Sequence, residues 1–496
     1  MRLRPAKSID NACKRLKRVP GLAHETEFLP QLIWLLFLKS LDDFEAANEE
    51  ILGDSYVPII EPPFRWRDWA AVADLATQKT GDELREFVDN ELIPYLARLS
   101  GSDEYDIRTT IGTIFQNTVN LDRDGYNLRE VVNGLSALDF NSAGDVQAIS
   151  LIYEAKLKEL RDAAGKQGDF YTPRPLIRFI LNRLAPQQDE RILDPACGTA
   201  GFLVATYEQL REQVRSPQQM RTLHDSLLGI EKNPMPYLMA VMNMWLHGIR
   251  APRLVQRDAL VAQVRQIADA ERVDVVATNP TFNGSISRQV LTNFPESVHT
   301  QDTAVLFVYY AMALLKRPGG RCAIIVPNGF LFGDDVASIT VKKQLLTRCN
   351  LHTIVRLPNG VFAPYTSIQT NILFFKTCEA AEDIELEQPC TRQVWYYELL
   401  PPAGRDAYTK TRPLRDEEFA DCIAWWDNPV ECERAWKVPV EELLSNNYNL
   451  DVKNPRTKKE IEYVPPEQLV ESILEKEQRI AEIIREIKQL LMRKDV

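Results

Sequence analysis

Asp194-Pro195-Ala196-Cys197-Gly198-Thr199-Ala200-Gly201-Phe202 follows the short apolar run Arg191–Leu193 and leads into a stretch of helical character, Gly201–Val214. Strand, glycine-bearing turn and helix in that order make one unit of an α/β fold. Gly198 and Gly201 would let the backbone approach a ligand, because a Cβ there would take the ligand's space. The carboxylate of Asp194 argues against a phosphate cradle, since it would repel a pyrophosphate, and neither a GKS or GKT ending nor a full GxGxxG is present. A cationic sulfonium carrying an amino-acid tail suits Asp194 better.

The pattern continues outward from that turn. Ser226–Ile230 reads as a strand ending at Glu231, Pro234–His247 as a helix opened by proline, and Leu254–Arg257 as a strand ending at Asp258. Val273–Thr278 runs directly into Asn279, and Thr303–Lys316 is a helix stopped by Pro318-Gly319-Gly320. Further strands are expected at Cys322–Val326, Thr353–Leu357 and Asn371–Phe375. Strands separated by helix-length segments predict a mostly parallel, doubly wound, Rossmann-like sheet, with ligands at the carboxyl ends of strands where the order reverses. At such an edge Glu231 is placed to accept hydrogen bonds from both hydroxyls of a ribose, and Asp258 to contact an adenine amine.

Asn-Pro occurs four times, at Asn233, Asn279, Asn428 and Asn454, so the dipeptide alone says little. Only Asn279 follows a run as apolar as Val273–Thr278 and has an aromatic three residues on, Phe282. The exocyclic amine of adenine is a poor nucleophile because its lone pair is delocalised into the ring. Two acceptors, the Asn279 side-chain oxygen and the Pro280 carbonyl, can bind its two hydrogens and favour a pyramidal nitrogen. Phe282 can stack on the extruded base in place of its lost neighbours. Attack on a sulfonium methyl would then rest mostly on orientation. With five histidines and no Ser/His/Asp or metal-ligand spacing, hydrolase and metal chemistry find little support, and no metal is expected.

A chain of 496 residues exceeds what one core usually serves. Four regions are expected: a helical region at 1–150, with strongly apolar Leu29–Phe44 and helix-spaced Asp82–Leu99; the catalytic region at 151–380; a small region at 381–464; and a terminal amphipathic helix at 465–496. Trp395, Tyr396, Tyr397, Trp425, Trp426 and Trp436 read as small-core packing. In the last helix Ile473, Ile480 and Ile487 recur every seven residues, with Ile483 and Leu490 beside them, a stripe that must be buried against something. The longest membrane-like run, Leu32–Leu38, falls far short of the roughly 20 residues a spanning helix needs. The eight cysteines lack metal-type spacing and need not pair, which predicts a reducing, cytoplasmic setting. A net charge of −11 argues against wrapping nucleic acid over the whole surface and leaves room for a separate basic partner.

These residues resemble the modification (methyltransferase) subunit of a type I restriction-modification system, over most of the chain. GDFYTPRPL from Gly168, VPNGFLFG from Val326, LPNGVFAPYTSIQTNILFF from Leu357 and the helical start around Leu29–Phe44 are all similar to segments of that family. The resemblance implies that Asp169, Phe170, Tyr171, Thr172, Pro173 and Arg174 line the methionine side of S-adenosylmethionine. It implies that Thr199, Ala200, Gly201 and Glu231 bind the same donor, and that Asn279, Pro280 and Phe282 form the catalytic motif of an N6-adenine DNA methyltransferase. The family usually has a second proline where this chain has Thr281; both acceptors survive, so activity is expected to persist. It further implies a separate specificity subunit bound by two copies of this chain, with the last helix docking on its coiled coil, and an endonuclease subunit. Methyl transfer to a protein glutamine or to RNA, cytosine amine methylation, and a scaffold that has lost its chemistry remain the competing readings of the residues.

Overall fold

A computed structural model describes residues 3–72, 74, 76–164, 171–282, 286–363, 366, 368–378, 389–402, 404–456, 474, 477–480 and 483–485. Among the described residues nine strands form one sheet: β1 (Ile192–Asp194), β2 (Leu227–Glu231), β3 (Arg253–Gln256), β4 (Val275–Thr278), β5 (Arg321–Pro327), β6 (Cys349–Arg356), β7 (Thr370–Thr377), β8 (Gln393–Glu398) and β9 (Ala435–Pro439). Their order is β3-β2-β1-β4-β5-β7-β6-β8-β9. The first five strands pair in parallel, as the alternation with helices predicts. Then β7 inserts antiparallel between β5 and β6, β8 pairs parallel with β6, and β9 closes the edge antiparallel to β8.

Side chains alternate between two cores, as the period-two geometry of a strand requires. Val275, Ala277, Ala323, Ile325, Ile372 and Phe374 face one hydrophobic cluster. Val276, Cys322, Ile324, Val326, Leu373 and Phe375 face the other. With both faces covered, the strands read as near-continuous apolar runs, which is why they stand out in the sequence.

Two boundaries expected from the sequence are corrected. The helical region does not end at 150: one helix spans Ala143–Ala164, and the Tyr153 hydroxyl on it donates to Met239 O at 2.8 Å on the Pro234–Leu246 helix. Trp245 of that helix meets Phe37 and Phe44 of the Glu25–Leu52 helix edge-on, both at 5.6 Å between ring centroids. The helices and one sheet face thus share a single core, and Met1–Lys453 is one compact unit. The sheet likewise does not stop at 380, since β8 and β9 extend it, and Tyr396 stacks on Trp436 between them at 5.3 Å. Within the helix-spaced Asp82–Leu99, the helical run ends at Ala97 and carries a π-helical turn at Val88–Leu92, ahead of Pro94, which has no N–H for a regular helical bond.

Cysteine pairing also departs from expectation. Cys378 and Cys390 are disulfide-bonded, with Cα atoms 6.6 Å apart, because β7 and the segment entering β8 bring them together. Residues 454–496 form a second unit, of which 474, 477–480 and 483–485 are described and helical. Leu474, Ile480, Ile483 and Ile484 there are exposed; Ile473, Ile487 and Leu490 lie outside the described residues. No helix among the described residues is long and apolar enough to cross a membrane.

Candidate active site

The strand order reverses at β1, which pairs with β2 on one side and β4 on the other. Loops leaving the carboxyl ends of β1 and β4 therefore diverge and leave a crevice between them. A cleft of about 340 Å³ opens there, lined by Tyr171, Thr172, Asp194, Gly198, Thr199 and Asn279 among others.

The β1 turn is held from below. Asp194 is 2% exposed, and its Oδ1 accepts from Thr278 Oγ1 at 2.7 Å and from Ala196 N at 3.1 Å, which ties the end of β1 to the end of β4. Burial pushes its carboxyl up to about 7, and the nearby charge of Glu231 acts in the same direction. Asp194 thus has a structural task in addition to facing the cleft. Gly198 has φ +54°, a conformation side chains resist, and the space its missing Cβ would enter is open to 4 Å. Ala200, fully buried, also takes a left-handed φ of +62° where the Gly201–Arg211 helix begins, at a cost of about 1 kcal/mol. Gly201 lines the cleft, and a Cβ there would meet Ile177 Cδ1 at 3.0 Å, so its smallness also lets two helices approach.

Glu231 closes the donor side. Its Oε2 accepts from Gly198 N at 2.9 Å and its Oε1 from Asn233 N at 2.7 Å, which fixes the carboxylate across the turn. Each ionised oxygen has acceptor capacity beyond one such bond. Thr199 O accepts from Asn243 Nδ2 at 2.8 Å, which fixes the far side of the turn. Asp258 lies apart from the cleft lining. It accepts from Leu260 N at 3.0 Å as the cap of a short helical turn and pairs with Lys232 Nζ at 2.9 Å.

Of the segment upstream of the turn, Asp169 and Phe170 lie outside the described residues. Tyr171 and Thr172 line the cleft. Pro173 precedes the Arg174–Leu184 helix, and Arg174 faces away into a pair with Glu154 at 2.8 Å and a hydrogen bond to Gly201 O at 3.3 Å. Arg174 thereby braces the turn.

Asn279 emerges from β4 at 7% exposure. Its Nδ2 donates to Thr172 Oγ1 at 3.0 Å, and its Oδ1, though buried, has no hydrogen-bond partner among the described residues. Such an acceptor costs about 1–3 kcal/mol if nothing meets it. Pro280 is buried beside it, and Phe282, at 6% exposure, is packed into the larger core cluster rather than standing open. Thr281 is exposed, but its carbonyl accepts from Thr303 Oγ1 at 2.7 Å. Sequence reasoning passed over Thr278, Asn243 and Thr303. Thr278 carries a visible signal, a hydroxyl closing the apolar run Val275–Ala277; the other two act only through distant partners.

Comparison with known proteins agrees with this architecture. Residues 145–463 match the family model for N-6 DNA Methylase, and residues 6–135 match that for the HsdM N-terminal domain. The chain is 37% identical to the type I restriction enzyme EcoEI methylase subunit of Escherichia coli, over 98% of each chain. Among solved structures it is similar to a modification subunit of a putative type I restriction enzyme from Vibrio vulnificus YJ016, with a TM-score of 0.79 and 40% identity, covering 92% of this chain and 98% of that one. A chain from a structural study of type I restriction-modification assembly and conformational transition gives a TM-score of 0.80 and 37% identity over 99% of both. The family match over more than half of the chain and the identity along its whole length show that it belongs to the N-6 DNA methylase family, among the type I restriction enzyme methylase subunits.

Proposed function

We propose that this chain moves a methyl group from S-adenosylmethionine to the N6 amine of an adenine turned out of duplex DNA. The observation that carries the reading is the buried Oδ1 of Asn279, without a hydrogen-bond partner among the described residues, on the cleft that Gly198 also lines, with Glu231 bonded to Gly198 N. The donor fits the β1 turn: open space beyond Gly198, and beside it the carboxylate of Glu231, an acceptor of the kind ribose hydroxyls need, held in place by Gly198 N and Asn233 N. Tyr171, Thr172, Asp194, Thr199, Ala200 and Gly201 would complete the site, with Asp169 and Phe170 upstream and Arg174 as a brace.

When bound, S-adenosylmethionine supplies an electrophilic methyl carbon. The chain's own residues prepare the nucleophile. Asn279 Oδ1 and the Pro280 carbonyl accept the two amine hydrogens and localise the nitrogen lone pair. As the new N–C bond forms, the C–S bond breaks with its electron pair left on sulfur, and the surplus amine proton passes to water. Thr172 keeps the carboxamide oriented, with its nitrogen turned away and its oxygen toward the amine. Phe282, packed at 6% exposure, would have to leave its core contacts to stack on the base.

The partners proposed are DNA, a separate specificity subunit that binds two copies of this chain through residues 465–496, and an endonuclease subunit, assembled in the cytoplasm. The acidic net charge and the exposed Leu474, Ile480, Ile483 and Ile484 support a division of labour in which another subunit holds the DNA. Incubation with radiolabelled methyl donor, DNA, RNA and the specificity subunit tests the reading. Label is expected in DNA as N6-methyladenine; label confined to protein or RNA, or donor binding without transfer, contradicts it. Truncation after Pro466 is expected to abolish copurification with the specificity subunit.

A further inference from the structure

Asn279-Pro280-Thr281-Phe282 leaves β4 as a turn that must hold two acceptors in fixed places. Its upstream end is secured by the β4–β5 ladder, where Thr278 pairs with Ile324, and by the bonds of Thr278 to Asp194 and of Asn279 to Thr172. The downstream end has one such restraint described, the 2.7 Å bond from Thr303 Oγ1 to Thr281 O. Thr303 is the first residue of the Thr303–Leu314 helix, a position where a threonine hydroxyl ordinarily faces water. Here it is 4% exposed and points at a carbonyl 22 residues away, two residues past Asn279.

The helix is a rigid base for that bond. Asp302 caps it, accepting from Ala304 N at 2.8 Å, and Ala304, Val305, Leu306 and Val308 are fully buried. Thr281 lacks the ring that would fix its own φ, so the carbonyl bond adds a directional restraint at this residue to the packing of Phe282 beside it. We infer that Thr303 is a positioning residue for methyl transfer: its hydroxyl pins the catalytic turn through the Thr281 carbonyl and holds the Asn279–Pro280 acceptors in register with the incoming amine. This rests on the assignment of Asn279 as the amine acceptor. Thr303 touches neither the donor turn nor Glu231, so it acts on the chemical step and not on donor affinity.

The test uses the chain assembled with its specificity subunit, comparing Thr303→Val and Thr303→Ser in the wild-type and Thr281→Pro backgrounds. Kcat, donor Kd and thermal midpoint are read for each. T303V is expected to lower kcat about tenfold, within the roughly hundredfold that a 1 Å misplacement can cost, with donor Kd and midpoint unchanged. T303S keeps the hydroxyl and is expected to stay within about twofold of wild type, on the same positioning argument. In the T281P background the proline ring supplies the restraint, so T303V is expected to cost less than about threefold. Unchanged kcat in T303V, an equal loss in T303S, or the same tenfold loss in the T281P background would each overturn the inference. A wild-type complex that leaves DNA unmethylated would sink the Asn279 assignment and this inference with it; normal wild-type transfer with an unaffected T303V sinks this one alone.

Discussion

In the helical region Asn120 is 1% exposed and its carboxamide is met on both sides: Oδ1 accepts from Gln31 Nε2 at 2.9 Å and Asp122 N at 3.3 Å, and Nδ2 donates to Asp89 Oδ1 at 3.0 Å and Asp122 O at 3.2 Å. At the cleft Asn279 is nearly as buried, yet its oxygen has no hydrogen-bond partner among the described residues. One carboxamide is spent on holding the chain together; the other keeps an acceptor in reserve. A buried acceptor left unpaired lowers stability, and a substrate donor is the partner that would recover the loss. Arg129 repeats the helical pattern, buried to 4% exposure with its guanidinium donating to Lys79 O, Ala70 O and Trp69 O.

The contrast can be broken at several points. Asn279→Ala removes the reserved acceptor and is expected to cut methyl transfer about thousandfold, the upper range for one preorganised polar group, with a thermal midpoint no lower than wild type. Arg129→Met strands three buried carbonyls and is expected to destabilise the chain by about 3 kcal/mol in denaturant unfolding, leaving kcat of the folded enzyme unchanged. Glu231→Gln replaces one oxygen with an amide nitrogen that cannot accept from Gly198 or Asn233, so donor Kd is expected to rise about tenfold in a binding titration, the loss of charge-assisted bonds.

The effect per pH unit is a slope. Native Asp194 holds its proton up to about pH 7, while the unfolded carboxyl releases it near 3.8. Between those values the native state binds more protons, so stability from this group is full below about 3.8 and falls as pH rises toward 7, by at most about 1.4 kcal/mol per pH unit. Asp194→Asn is expected to remove that slope from the pH dependence of the unfolding midpoint.

What could be read in the sequence follows from how local each signal is. The β1 turn, the strand before Asn279 and the Asp302 cap are written in neighbouring residues, and buried parallel strands announce themselves as apolar runs. The restraints on the site are not local: Thr172 and Asn279 lie 107 residues apart, Asp194 and Thr278 lie 84 apart. A second demand on Gly201 is equally distant, since a Cβ there would meet Ile177 Cδ1 at 3.0 Å. Asp258 is divided in the same way: its turn cap, Leu260 N, is two residues on and legible, while its lysine partner, Lys232, lies on the far side of a helix and a strand. The continuation of the sheet into β8 and β9 was hidden because antiparallel β7 and the acidic stretch Glu379–Glu387 interrupt the strand-helix alternation.

The central claim is that Asn279 Oδ1 is reserved for the target amine, and a cycle of binding measurements reads that contact directly. Wild type and Asn279→Ala, each with the specificity subunit and S-adenosylhomocysteine, are titrated with DNA carrying either adenine or purine, which lacks the amine, at the target position. The account predicts that the adenine-to-purine Kd ratio differs between the two proteins by about tenfold, in favour of adenine for wild type, as one buried hydrogen bond would give. The same ratio in both proteins would contradict it.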